Sequence, residues 1–213
     1  MGLDTAMIID CGHEVTQFLP IYSGMPMEYG IEKYNYGGFD ISNFLKKKLE
    51  IADDKEIRKI KENFCFISQN FKEEKIEKMK YKLPDGKEIE IETDLFSIPE
   101  FLFQPNLIGY ESFGISKTIQ NSIQNCSMDT KKEISSNIVL CGGTTKMKGF
   151  GDRIKIDVSD SYKWKIKISN VENEFSAWFG GSIMVGHQSF NNLWFNKLEY
   201  EEHGIKYIHE KCV

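Results

Sequence analysis

Arginine is nearly absent from this sequence, which has only Arg58 and Arg153 among its 27 basic residues. Guanidinium groups provide the forked recognition of phosphate, and a nucleic-acid binder usually presents a basic face. The formal net charge of -5 also disfavours such a face. We therefore expect no nucleic-acid partner.

Long apolar runs and paired cysteines are also missing. No run approaches the roughly 18–20 residues that span a bilayer, and no signal-peptide pattern is visible. The five cysteines are scattered, with no C-x-x-C spacing, which is typical of free thiols in a reducing cytosol and not of a zinc or disulfide framework. We expect a soluble, cytoplasmic protein without a membrane partner.

Apolar strands and amphipathic helices alternate along the chain, which favours an α/β fold with a mixed sheet flanked by helices. Apolar residues 6–9 lead into Asp10-Cys11-Gly12, and residues 15–22 are again rich in β-formers, so a hairpin is predicted with its tip at residues 12–14. Residues 137–141 read as a strand covered on both faces.

The remaining elements are predicted from periodicity and turn residues. Helices are expected over 40–49, 53–66 and 115–123, after Gly149, and along much of 175–194. Strands are expected over 87–91, after a turn at 83–86, and over 165–168. The charged segment 72–82 is interpreted as a loop or a solvated helix end.

Two strands run into glycine turns, at Asp10-Cys11-Gly12 and at Cys141-Gly142-Gly143. Glycine lets backbone N–H groups approach a phosphate or a nucleotide ring, and an Asp at a strand end can hold a hydrated Mg²⁺. Each turn taken singly is also explained as an ordinary tight turn, so both interpretations stay open on these motifs alone.

The order of the segments resembles the actin family from about residue 6 to the last residue. The matching segments are Asp10 to Thr16, Leu19 to Gly24, Gly38-Phe39-Asp40, Ile60 to Cys65, Leu83 to Gly86, Leu102 to Pro105, Asn137 to Thr145, and, most specifically, Ser176 to Ser182 and Trp194 to Gly204. The resemblance implies the second half of the actin-like ATPase (ribonuclease H-like) fold, standing without the N-terminal domain. Residues 1–174 would form the large-domain-like region, with a shortened insertion subdomain around 40–100, and residues 175–213 a helical segment that normally completes the small domain.

The same resemblance implies a nucleotide site with two sides. Its phosphate side would be Asp10, Gly12, His13 and Val15, with Asp10 holding Mg²⁺ or Ca²⁺ through water. Its adenosine side would be Gly38, Lys61, Glu62, Gly142, Gly143 and Thr144. No catalytic residue is assigned, because the other half of the phosphate clamp has no counterpart here.

The phosphate side departs from the family pattern, since His13 and Glu14 stand where the family has Asp and Gly. A Cβ at Glu14 is expected to cost about 1 kcal/mol where glycine's freedom is normally used. The Glu14 carboxylate would also repel phosphate unless it turns to solvent. His13 is interpreted either as a donor to a phosphate oxygen or as a surface residue on the hairpin tip.

Two functions remain open. The first is a non-catalytic actin-like protein of the cytoskeleton that associates with actin, with actin-binding proteins or with itself, and that binds ATP or ADP weakly or not at all. The second is a fragment of an actin-related protein that binds and hydrolyses Mg-ATP. The resemblance places a groove for partner helices at Gly24, Met25, Met184, His187, Ser189 and Leu193. Exposure of Trp178 and Ile183 would mark an interface, although we expect these two side chains in a core.

Overall fold

A computed structural model describes residues 2–75, 77–159, 161–173 and 175–211 of the chain. The chain divides into two compact units, Met1–Glu172 and Asn173–Val213. Each unit is described by itself.

The first unit is built on a mixed sheet, as the alternating pattern predicts. Its strands are β1 Ala6–Cys11, β2 Thr16–Tyr22, β3 Met25–Pro26, β4 Glu32–Tyr34, β7 Asn137–Cys141 and β8 Lys167–Asn170, and a separate hairpin pairs β5 Met79–Lys82 with β6 Glu88–Ile91. The order across the sheet is β3-β2-β1-β7-β8, with β4 pairing β2. Strands β1, β7 and β8 are parallel, whereas β2 is antiparallel to β1, so the predicted hairpin between β1 and β2 is confirmed.

The helices of this unit bury regularly spaced apolar side chains. They are α1 Gly38–Leu49, α2 Asp54–Phe64, α3 Asp94–Ser97, α4 Ile115–Asn125, α5 Lys131–Ser136 and α6 Phe150–Ser159. Of these, α4, α5 and α6 pack against strands of the sheet. In α1 the buried residues Ile41, Leu45 and Leu49 recur every four positions and so form one stripe. The Asp53 side chain caps α2 by accepting a hydrogen bond from Lys55 N at 2.9 Å.

The core lies between these helices and the sheet. Ile9 of β1, Ile138 and Leu140 of β7 and Phe18 of β2 are all fully buried. Burying an isoleucine or phenylalanine side chain contributes roughly 1.5–3 kcal/mol, so the buried cluster to which these residues belong is a main source of the stability of the first unit.

A buried ion cluster fastens α6 to the neighbouring segments. Arg153 donates to both carboxylate oxygens of Glu100, at 3.0 and 3.2 Å, and to the carbonyl oxygen of Ser68 at 2.7 Å. It also pairs with Asp157, and its guanidinium lies over the ring of Phe103 at 5.1 Å from the centroid. One of the two arginines in the sequence, Arg153, is therefore held in place by buried contacts within the first unit.

Several boundaries differ from the predictions. Segment 72–82 ends in strand β5, where Met79 and Tyr81 alternate with lysines and pair with β6 across the turn at 83–86. The interpretation of the whole segment as loop or helix end was therefore wrong. Helix α2 ends at Phe64, and β8 starts two residues later than expected.

The second unit consists of short helices. They are α7 Ser176–Val185, α8 Lys197–His203 and α9 Ile205–Lys211, with a 3-10 turn at Gln188–Asn192. The helix predicted along much of 175–194 is present as α7, which ends at Gly186, and the residues after it form the 3-10 turn. Asn196 caps α8 reciprocally: its side chain accepts from Glu199 N at 3.0 Å while the Glu199 carboxylate accepts from Asn196 N at 2.6 Å.

None of the side chains described between residues 175 and 210 is buried. Trp178 is 68% exposed and Ile183 is 76% exposed. The prediction that these two form a core was therefore wrong, because the short helices of this unit do not enclose them. No described helix is long and apolar enough to cross a membrane.

Candidate functional site

Two glycine turns meet at one edge of the sheet. Strands β1 and β7 are parallel and in register, with Asp10 opposite Cys141, so both turns follow the carboxyl ends of adjacent strands. Ligands of open α/β sheets bind at this edge, because the chain leaves the sheet there and exposes its backbone.

The fit of the two turns requires glycine at position 142. Gly142 has a φ of 86°, and a Cβ there would collide with the carbonyl oxygen of Cys11 and lie 2.5 Å from Asp10 Oδ1. A residue with a side chain would both strain the backbone and separate the strand ends. Gly143, in contrast, faces open space and would accept a Cβ without contact.

The N-terminus of α1 docks onto the tip of the hairpin. Gly38 N donates to Gly12 O at 3.1 Å, and Phe39 N donates to His13 O at 2.6 Å. The Thr144 hydroxyl also donates to Gly12 O, at 2.8 Å. The carbonyl groups of the tip are therefore used inside the protein, while the backbone N–H groups of His13 and Glu14 have no hydrogen-bond partner among the described residues.

Glycine is also required where α1 begins. A Cβ on Gly38 would lie 2.6 Å from Thr144 Oγ1 and 3.4 Å from Lys61 Nζ, and one on Gly37 would lie 2.8 Å from the carbonyl oxygens of the tip. Because Gly38 has no side chain, Lys61 of α2 and Thr144 of the turn after β7 can both lie against its backbone.

Lys61 reaches this cluster from α2. Its ammonium donates to Gly38 O and to Ser42 Oγ, both at 2.9 Å. Burial lowers the pKa of Lys61 from its usual value. The neighbouring Glu62 is placed differently: its carboxylate is exposed and pairs with Arg58 Nε at 2.7 Å, one turn earlier in α2. The structure therefore groups Lys61 with Gly38 and Thr144, and does not bring the Glu62 carboxylate to them.

His13 and Glu14 are both exposed at the hairpin tip. The His13 ring meets Phe39 edge to face, with 5.3 Å between centroids. Among the described residues other than glycine, only Ser23 and Glu50 have a positive φ, so Glu14 does not incur the conformational cost expected for it. That expectation was wrong, because the tip closes through a hydrogen bond from Gly12 N to Val15 O and not through a left-handed residue.

Asp10 lies where the two turns meet, with its Oδ1 2.5 Å from the position that a Cβ on Gly142 would take. Partial burial at the strand end raises the pKa of its carboxyl group. No group of three or more His, Cys, Asp or Glu side chains converges as a metal cage in the described part of the chain. A cation beside Asp10 would therefore take most of its ligands from water and from a bound anion.

The residues predicted to form a partner groove are divided between the two units. Gly24, with a φ of 79°, precedes the exposed Met25 of β3 in the first unit. Met184 of α7, the exposed Leu193 and a hydrogen-bonded pair, His187 Nδ1 with Ser189 Oγ at 2.7 Å, belong to the second. The groove stays a prediction.

Three residues of the site were not predicted. Gly37, Phe39 and Ser42 contact the hairpin tip or Lys61 directly. Ser42 lies one helical turn after Gly38, and that spacing is the signal that would have found it. Phe39 and Gly37 carry no signal of their own, since their role depends on how the tip meets α1.

These features define an α/β protein with a glycine-lined cluster at the ends of two parallel strands. Residues 50–213 match the family model described as Actin. The chain belongs to the actin family. The matched segment includes Lys61, Glu62 and residues 142–144, whereas the hairpin and Gly38 precede it.

Proposed function

We propose that this chain is an actin-like protein of the cytoplasmic cytoskeleton that acts by associating with actin, with actin-binding proteins or with copies of itself. Its first unit would carry the second half of the actin-like ATPase fold, and its association surface would lie on the second unit. Membership of the actin family supports the proposal, and the exposed apolar surface of α7 is the observation that carries it.

That surface is formed by large side chains. Trp178, Phe179, Ile183 and Met184 are all exposed on a ten-residue helix that has no buried residue. Contiguous apolar surface of this kind marks an interaction site in a soluble protein. Burying one of these side chains against a partner contributes roughly 1.5–3 kcal/mol to the free energy of binding. A partner that buries several of them therefore gains enough free energy to bind.

A nucleotide fits the cluster in part. The unpartnered N–H groups of His13 and Glu14 suit phosphate oxygens, the open backbone at Gly143 suits an adenosine face, and Asp10 would hold Mg²⁺ or Ca²⁺ through water. The bound cation would neutralise phosphate charge. The exposed Glu14 carboxylate adds negative charge beside this position, and the Lys61 ammonium is already held by Gly38 O and Ser42. We therefore propose weak binding of ATP or ADP and no contribution of ATP hydrolysis to function.

The association is tested by placing one charge on the proposed surface. Ile183→Glu is compared with Ile156→Glu, which makes the same change at an exposed isoleucine of α6 in the first unit (48% exposed). Co-sedimentation with actin filaments and analytical ultracentrifugation measure binding to actin and to itself. We expect Ile183→Glu to abolish association and Ile156→Glu to leave it intact. A wild-type chain that is monomeric and does not pellet with actin would overturn association with actin and with itself.

A second candidate is an actin-related protein that binds and hydrolyses Mg-ATP. The close assembly of Gly38, Lys61, Gly142 and Thr144 favours it. Calorimetry with Mg-ATP, combined with a phosphate-release assay, separates the two candidates. Sub-micromolar affinity with turnover would establish the second and overturn the first.

A further inference from the structure

A polar cavity of about 350 Å³ lies on the first unit, and none of the described residues that line it belongs to the glycine cluster. Its walls come from the edge strand β4 and from one face of α4. Glu32 and Tyr34 are two residues apart on β4 and share a face of the strand, while Thr118, Asn121 and Asn125 follow helical spacing on α4. One wall of the cavity is therefore formed by the strand and the other by the helix.

The polar groups of this cavity are largely free to bind a ligand. The Glu32 carboxylate forms no ion pair with a described residue. The carboxamides of Asn121, Gln124 and Asn125 likewise have no side-chain hydrogen bond within the described ranges. Among the described residues that line the cavity, Glu32 is the only charged one. The site therefore offers several acceptor oxygens and one negative charge.

Aromatic rings complete the lining. Phe113, which is exposed, and Tyr34 both border the cavity. Tyr34 is held in place by a stack on Tyr36, with 5.3 Å between centroids, and by a hydrogen bond from Thr118 Oγ1 to its hydroxyl at 3.1 Å. Aromatic faces attract cations, and the flat guanidinium group stacks on them best.

We propose that this cavity binds a guanidinium group, either as the arginine side chain of a polypeptide or as a small free guanidine. The Glu32 carboxylate pairs with two of the five N–H donors, the carboxamide oxygens accept others, and an aromatic ring supports the plane. An anion is disfavoured because Glu32 repels it and none of the described lining residues is basic. An ammonium group fits less well, because it has three donors and no plane to stack.

The binding is tested on the full chain by nuclear magnetic resonance titration and calorimetry. The probes are acetyl-Gly-Arg-Gly-amide, the same peptide with lysine, methylguanidine, and glucose as a neutral ligand for amide-lined and aromatic-lined sites. We expect the arginine peptide to bind with a dissociation constant on the order of 1 mM and to shift the side-chain amide signals of Asn121. The lysine peptide should bind more weakly and glucose not at all. Methylguanidine as tight as the peptide would identify a small-molecule site, and a clear advantage of the peptide a polypeptide partner.

Two variants assign the binding to this cavity. Glu32→Gln keeps the shape and removes the charge, and we expect it to lower the affinity at least about tenfold. The control is Glu28→Gln, which removes the same charge from a nearby exposed position outside the cavity and should change the affinity little. Asn121→Lys should abolish binding by offering Glu32 an internal cation.

The inference does not depend on the proposed function. It is overturned if no probe containing guanidinium shifts the cavity signals, if glucose binds and guanidinium does not, or if Glu28→Gln weakens binding as much as Glu32→Gln. Thermal unfolding of each variant confirms that the chain remains folded during these measurements.

Discussion

In the unit Met1–Glu172, isoleucines of the sheet and helices are withdrawn from water, whereas in the unit Asn173–Val213 the large apolar side chains of α7 are exposed. The difference does not come from a lack of large apolar residues in the second unit, since residues 173–213 include three isoleucines and eight aromatic residues. It arises from architecture: a sheet with helices on it encloses side chains, and short consecutive helices do not.

This contrast separates two kinds of interaction. The first unit completes its own core and brings backbone groups and Lys61 to a shared edge, which is the requirement for a small-ligand site. The second unit leaves the apolar surface of α7 exposed to solvent, and association requires such a surface. The same type of substitution made in both units should therefore have different consequences, and the following predictions compare matched pairs.

Ion pairs should show the largest difference. Arg153→Met leaves the fully buried Glu100 without its charge partner and should lower the free energy of unfolding by about 3–5 kcal/mol. Lys197→Met breaks an exposed pair with Glu201 at 3.6 Å and should cause no measurable change. Urea denaturation followed by circular dichroism measures both. Equal effects would mean that the buried carboxylate finds another partner, or that the pair in the second unit is buried in solution.

Isoleucine truncation is the second comparison. Ile138 of β7 is 0% exposed, so Ile138→Ala should cost about 2–5 kcal/mol through lost burial and a cavity. Ile183→Ala removes the same atoms from an exposed position and should change the free energy of unfolding by no more than about 0.5 kcal/mol.

Urea denaturation at two protein concentrations distinguishes the possible outcomes for this pair. A large loss at Ile183 that grows with protein concentration would show that self-association covers α7. A large loss independent of concentration would show that the second unit encloses the side chain, contrary to the comparison.

Glycine substitution should differ in sign between the units. Gly142→Ala forces a Cβ against the carbonyl oxygen of Cys11 at a positive φ and should destabilise the chain by about 1–3 kcal/mol. Gly181 lies inside α7, and a Cβ added to it would meet no atom within 4 Å. Gly181→Ala should therefore stabilise the helix by about 0.5–1 kcal/mol. Thermal unfolding measures both changes. A stabilising Gly142→Ala would contradict the close approach of the two strand ends.

The local pattern of the amino-acid sequence predicted most of the fold of the first unit. The β1–β2 hairpin, strand β7, the turn at 83–86 and helix α4 follow from apolar periodicity and turn residues, and all are present. Strand β5 was missed because its lysines suggested a solvated segment, while its pairing with β6 depends on contacts across a turn. The exposure of Trp178 was missed for a related reason, since apolar character predicts burial only where a second layer exists.

The candidate site was predictable in part. The glycines of the two turns and Thr144 could be named from the sequence, because strand ends and glycine pairs are local signals. The hydrogen bonds from Lys61 to Gly38 and Ser42 could not, because they depend on how α1 packs against α2. The absence of strain at Glu14 is likewise a property of the closed turn, not of the residue.

Thiol reactivity at the strand ends is the smallest expected effect. Burial, together with repulsion from the Asp10 carboxylate, raises the pKa of Cys141 to about 11. The thiolate is the reactive form, so alkylation by iodoacetamide should be slow at neutral pH and should accelerate as the pH rises toward that value. Peptide mass spectrometry follows Cys141 separately from the other cysteines.

The contribution of Asp10 to this shift can be isolated. Asp10→Asn removes the like charge, which lowers the pKa of Cys141 and should increase its alkylation rate at neutral pH severalfold. The matched control, Asp129→Asn, removes the same charge from an exposed position and should leave the rate unchanged. Because the effect requires the carboxylate of β1 to lie beside the thiol of β7, equal rates in both variants would show that these strand ends are not held together in solution, and the candidate site would then lose its geometric basis.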